Sequence, residues 1–193
     1  MENLMELLEG RRTYRRFDES KKISDKTVEK MQCATRLASS AMNRQPLRYI
    51  YVRDTDTVNA IFDITSWGGS LPNGLGRPKE GERPAMFVVV LSVRELQTRF
   101  TDFDAGLAVS NMTLAAFEDG VGSCILGSVK IDALRDLLNI PQDVDVVTAV
   151  GFGYPTHQST IVDMVDGDAR YYLDQNKDYL VPKRKNEDVN TEI

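Results

Sequence analysis

Apolar positions along the first half of the chain fall into short groups with two different spacings. Leu4, Met5, Leu7 and Leu8 stand before Gly10 and predict a short helix over residues 2–9. Val28, Met31, Thr35 and Ala38 recur at helical spacing behind Ser24, an N-cap residue type, and predict a helix ending near Ser39 and Ser40. Residues 48–53 (RYIYVR) are aromatic and β-branched, a strand pattern. Residues 56–64 predict a short helix with Val58, Ile61, Phe62 and Ile64 apolar. Residues 85–93 (AMFVVVLSV) form a continuous apolar run, as a strand covered on both faces does. Residues 94–100 are charged and predicted helical, and residues 123–127 extended. Ile131, Leu134, Leu137 and Leu138 mark an amphipathic helix stopped by Asn139 and Pro141. Residues 144–152 form a second strong strand, which Gly153, Tyr154 and Pro155 turn outward.

The longest apolar segment is DAGLAVSNMTLAAFEDGVGSC, residues 104–124. Its apolar residues surround the helix instead of forming one stripe, which predicts a core helix buried on nearly every side. Thr101, Asp102 and Asp104 offer N-cap oxygens and negative charge at its start, and Gly120 and Gly122 offer turns at its end. Small residues such as Ala105, Gly106, Ala108 and Ser110 permit close approach of whatever packs on it. The segment is too short, and too closely flanked by charges, to span a membrane.

Length indicates a single domain, 1–193, with no internal repeat or linker. Two stretches stand apart in composition. Residues 66–84 hold five glycines, three prolines and the only tryptophan, and read either as a lid or as a surface insertion. The tail from residue 163 is polar but carries Tyr171, Tyr172, Tyr179 and Leu180, too many apolar groups for a free tail, and is expected to wrap a neighbouring subunit.

Charge and chemistry narrow the function. The net charge is -5, which disfavours nucleic-acid binding. The chain opens on no secretory pattern, so a cytoplasmic location is the expectation. Cys33 and Cys124 have no metal spacing and each reads as a buried thiol. One histidine, His157, and no GxSxG turn leave few side-chain catalysts, so an enzyme here would borrow a cofactor. Against this acidic background Arg11, Arg12, Arg15 and Arg16 crowd into six residues. They read as a solvated basic turn or as a phosphate clamp, since guanidinium forks match phosphate oxygens and Thr13 adds a hydroxyl. Residues 38–46 (ASSAMNRQP) read as a plain helix-to-strand connection or as a loop whose amides, Asn43 and Gln45, meet a planar polar ring.

RRTYRRFD at 11–18, ASSAMNRQP at 38–46, the 104–124 segment, GFGYP at 151–155 and VPKRK at 181–185, in this order over nearly the whole chain, resemble the nitroreductase family of FMN-dependent oxidoreductases. The resemblance implies an α+β fold with a central, mainly antiparallel sheet flanked by helices. It also implies an intertwined homodimer with FMN at the interface. In family terms Arg11, Arg12, Thr13 and Arg15 correspond to residues at the FMN phosphate, ribityl chain and pyrimidine edge. Ser39, Ser40, Asn43 and Gln45 correspond to a loop reaching the flavin from the other subunit. Leu126 and Gly127 correspond to the backbone near flavin N5, and Lys183 and Arg184 to a basic pair over the phosphate. No side chain is assigned to catalysis, since the flavin carries the chemistry, and no metal is expected. The implied reaction is ping-pong: NADH or NADPH reduces FMN, which then reduces a nitroaromatic, a quinone or an enone. Other flavin chemistry on the same fold (dehalogenation, dehydrogenation, flavin breakdown) and a flavin-binding redox sensor without turnover are the rival readings. The chain departs from the family at Leu47, where many members carry Trp, at Leu126, where some carry Glu, and in the glycine-rich 66–84 loop.

Overall fold

The computed structural model describes residues 4–193, residue 73 by its backbone alone. Helix α1 spans Leu4–Gly10, so the first two residues of the helix expected there lie outside the described residues. Helix α2, Asp25–Arg36, is capped by Ser24, whose hydroxyl accepts from the Thr27 amide. It ends at Leu37, three residues earlier than expected, and the small residues of the next segment turn instead into a 3-10 turn at Ala41–Asn43. Strand β1 is Leu47–Val52, helix α3 Thr55–Asp63 with Asp54 as its cap, and strand β2 Met86–Val93. Only Arg94–Leu96 of the expected 94–100 helix is helical, as a 3-10 turn. Gln97 is extended, and the Thr98 amide donates to Thr101 Oγ1, so a local side-chain-to-backbone turn competes with continuation.

That next helix, α4, is Thr101–Phe117. Strand β3 (Gly122–Leu126), helix α5 (Ile131–Leu138) and strand β4 (Val144–Gly153) follow as expected to within a residue. Four strands form one antiparallel sheet in the order β1-β2-β4-β3. Val88 and Val90 on one face of β2 pack with Met31 of α2 and Met112 of α4; Phe87 and Val89 on the other pack with Ile61 and Phe62 of α3 and Leu134 of α5. Burial on both faces explains why β2 reads as an unbroken apolar run.

Burial matches expectation on one face of α4 and fails at one cysteine. Helix α4 buries Ala105, Ala108, Val109, Met112 and Ala116, but Phe103 is 70% and Leu107 50% exposed in the single chain. Cys124 is buried, whereas Cys33 sits on the outer face of α2 and is exposed. The 66–84 loop is not a loose insertion. Trp67 is buried against Phe62 and Phe87, and its indole N–H donates to Thr65 Oγ1 at 2.9 Å.

The tail also differs from expectation. Strand β5, Ser159–Asp163, was not apparent from the sequence pattern; it pairs in parallel with β7, Tyr179–Lys183, and β6, Tyr172–Leu173, completes a second, three-stranded sheet. The tail therefore folds back on its own chain, held by Tyr179, which is 1% exposed, and a last short helix, α6, spans Asn186–Val189. Among the described residues no helix is long and apolar enough to cross a membrane.

Candidate functional site

The arginine segment runs beside the open edge of β3. Thr13 bridges Ser123 in parallel, the Tyr14 amide donates to the Ser123 carbonyl at 2.9 Å, and Phe17 bridges Pro155. Gly122 and Gly153, paired across β3 and β4, make room for it. A Cβ at Gly122 would lie 2.8 Å from Tyr14, and one at Gly153 would lie 2.7 Å from Phe17. Tyr14 and Phe17 are thereby buried while the arginines between them turn toward the surface.

The surroundings of those arginines fit an anion. Arg11, Arg12 and Arg15 are half-buried, and the Nε of each is shut off from solvent without a hydrogen-bond partner among the described residues. Burial, and then the neighbouring Arg12, lower the Arg11 pKa. Guanidinium groups left idle in this way invite a ligand with several acceptor oxygens, because an unmet buried donor costs free energy. Thr13 is exposed beside them. Arg12 also donates to the Leu8 carbonyl. Arg15 is shared with the tail: its guanidinium lies 4.3 Å from the Tyr171 ring centroid and 5.0 Å from that of Tyr179. Arg16 donates to the Lys177 carbonyl at 2.6 Å. Lys183 and Arg184 are exposed at the far end of the strand that Tyr179 begins.

Leu126 and Gly127 lie at the end of β3, on the strand the arginine segment accompanies. Leu126 is buried, and its carbonyl accepts from Thr148 Oγ1 at 3.0 Å. Gly127 is exposed, and a Cβ there would meet nothing within 4 Å, so a planar ligand has clear access to this backbone.

Ser39, Ser40, Asn43 and Gln45 are elsewhere. They precede β1, at the opposite edge of the sheet from β3. The strand registers put the start of β1 level with Asp145 and Leu126 level with Ala149. The two groups are therefore about 14 Å apart across the sheet and about 13 Å along it. Ser39, Ser40 and Gln45 border a cavity of about 380 Å³ between α2, α4 and β1, with Arg36, Tyr49 and Asp104 on its walls. Burial raises the Tyr49 pKa to about 12, so its hydroxyl is a neutral donor. Thus one chain sets the arginine segment against the β3 edge at Ser123, and holds the serine and amide loop at the opposite edge of the sheet.

Two residues were read differently, or not at all, from sequence. By sequence Asp104 is a charge complementing the start of α4; in the fold it is 4% exposed and its Oδ1 accepts from the Ala41 amide at 2.9 Å. His157 is 6% exposed between the rings of Tyr14 and Tyr179, with neither ring nitrogen well partnered among the described residues. Burial, with Arg16 adding to it, lowers its pKa to about 4. Its neighbours in sequence, Thr156 and Gln158, are polar and give no sign of this burial.

Comparison with known proteins decides the family. A profile described as the nitroreductase family matches residues 8–70 and 79–154. The chain belongs to the nitroreductase family. It is 31% identical over 182 residues to an Archaeoglobus fulgidus protein provisionally named NADH dehydrogenase/NAD(P)H nitroreductase, covering 91% of this chain and 97% of that one. Among solved structures, an FMN-dependent nitroreductase from Clostridium difficile shares the fold at 20% identity and a TM-score of 0.69, over 90% of this chain and 99% of its own. A provisionally named nitroreductase from Desulfovibrio desulfuricans, solved in complex with FMN, is 25% identical with a TM-score of 0.67, covering 86% of this chain and 94% of its own. The nitroreductase fold, α+β with its mainly antiparallel sheet, is the architecture described above.

Proposed function

We propose that this nitroreductase-family chain is an FMN-dependent NAD(P)H oxidoreductase that works as a homodimer. The observation carrying the reading is the set of idle, buried guanidinium nitrogens on Arg11, Arg12 and Arg15 in the segment beside the open edge of β3. FMN supplies two-electron chemistry when bound, taking hydride from NADH or NADPH and passing it to a nitroaromatic, a quinone or a similar electron-poor acceptor.

The chain's own part is to bind, orient and exclude water. Arg11, Arg12, Thr13 and Arg15 hold the phosphate, ribityl chain and pyrimidine edge, with Lys183 and Arg184 closing over the phosphate. In a protein of net charge -5 this local cluster supplies the positive potential that a phosphate needs. The backbone at Leu126 and Gly127 faces the reactive edge of the ring, where a fixed N–H favours developing negative charge at little reorganisation cost. Ser39, Ser40, Asn43 and Gln45 reach the ring from the second copy. The separation of this loop from β3 within one chain supports that division of labour, as does the exposed apolar face of α4.

The test is the visible spectrum of the purified protein before and after anaerobic addition of NADH. Flavin absorption that bleaches with NADH and returns with an acceptor is the expected result. A colourless protein that neither binds nor quenches added FMN overturns the reading.

A further inference from the structure

Residues 39–45 are held in an uncommon shape by two ties to one stretch of chain. Met42 (φ 53°), Asn43 (φ 53°) and Gln45 (φ 50°) all lie in the left-handed region, and none is glycine. Such backbone persists where the surroundings over-determine it. On the outer side, Arg44 Nε and Nη2 donate to the Leu96 and Glu95 carbonyls at 3.1 and 2.9 Å. On the inner side, the Ala41 amide donates to Asp104 Oδ1 at 2.9 Å. Ser40 Oγ accepts from the Gln45 amide at 3.0 Å and closes the turn on itself.

Asp104 is an unusual choice for its place. Its Oδ2 is shut off from solvent and has no partner among the described residues. A buried carboxylate with one idle oxygen is less favourable than an apolar side chain of the same size. Its other oxygen does what no apolar group can, by satisfying an amide at the entrance to the left-handed turn.

We infer that Asp104 is a positioning residue: through the Ala41 amide it fixes the turn that presents Ser39, Ser40, Asn43 and Gln45 to the flavin. The inference rests on the flavin reading above. The Oδ1 of Asp104 is taken up by the Ala41 amide and its Oδ2 is shut off from solvent, so the role assigned to it is to hold the loop. Anchored in the first turn of α4, it makes the rigid helix the reference frame for the loop.

The test compares the full-length protein with Asp104→Asn, which keeps an acceptor for Ala41, and Asp104→Ala, which removes it. Hydrogen exchange across residues 39–45, measured without flavin, is expected to quicken about tenfold or more in Asp104→Ala, the scale of losing one charge-assisted hydrogen bond. In Asp104→Asn it is expected to stay within about threefold of wild type. FMN titration is expected to follow the same order, with affinity lost in the alanine variant and rescued in the asparagine variant. Should Asp104→Ala not fold, Asp104→Leu, apolar and of similar size, takes its place. Equal exchange in wild type and the acceptor-less variant overturns the inference. So does an asparagine variant as impaired as the alanine one, because charge and not the held amide would then matter. Wild-type protein that binds no FMN sinks the flavin reading instead, and the exchange comparison still decides whether Asp104 holds the loop.

Discussion

Arg11 and Arg15 are the same side-chain type in two different settings. The Nε of Arg11 is idle, and burial lowers its pKa, so a ligand phosphate would meet a donor with nothing to give up. Arg11→Ala is expected to weaken FMN binding by about 1.5–3 kcal/mol, read by fluorescence titration. Unchanged affinity would move the phosphate site elsewhere. Arg15 already lies over Tyr171 and Tyr179. Arg15→Ala should therefore weaken FMN by a similar amount and also speed protease cleavage between residues 171 and 179; intact resistance would sever the link between site and tail. His157 makes a pH prediction. Its folded pKa of about 4 lies below the ordinary 6.5, because burial between Tyr14 and Tyr179, with Arg16 and Arg15 nearby, outweighs the opposing pull of Asp178. Between those two values the unfolded chain holds the proton and the folded chain does not. Stability is thus full above pH 6.5 and falls as pH drops toward 4, by up to about 3 kcal/mol. His157→Phe should flatten that part of the stability profile in urea titrations; the same slope in the variant would place its origin elsewhere.

Among the elements, the pairing of β3 with β4 carries the site, because Gly122 and Gly153 leave the slot that Tyr14 and Phe17 fill. Gly153→Ala would bring a Cβ to 2.7 Å from the Cβ of Phe17, a contact with no flexible end to yield. It should destabilise the protein by about 1–3 kcal/mol and loosen the arginine segment. An unchanged urea midpoint would show that the segment moves freely. Strands β2 and β4, and helices α2 and α5, were legible because each buries a face long enough to leave a period in the sequence. The amide loop and the arginine segment were legible as residue types. Their placement at opposite sheet edges was not, since strand order is set by pairing between distant segments. The β5–β7 pair was hidden for a related reason. Strand β5 is five residues with a mostly exposed pattern, and only its parallel partner twenty residues on makes it a strand. Asp104 was hidden because a charge near a helix start already has an ordinary explanation in the helix dipole.

At the scale of the whole molecule, α4 presents Phe103 and Leu107 to solvent in a single chain, with Phe100 40% exposed beside them. A contiguous apolar face of this kind marks an interface. If a second copy covers it, Leu107→Glu should shift sedimentation from dimer to monomer. It should also cost FMN affinity, although Leu107 is assigned no contact with the flavin. A variant that stays dimeric with full affinity would put the interface on another face. The coupling of those two losses is what a site assembled from two copies requires.

The bond between Arg16 and the Lys177 carbonyl spans 161 positions of sequence. During synthesis the arginines emerge well before the tyrosines that stack on Arg15. At ordinary elongation rates that interval is roughly 8–30 s. For all of it the basic segment has neither tail nor phosphate to face. A nascent chain of this protein thus carries a cationic segment that its tail has not yet reached, and truncation before Tyr171 would leave Arg15 with neither ring to stack on.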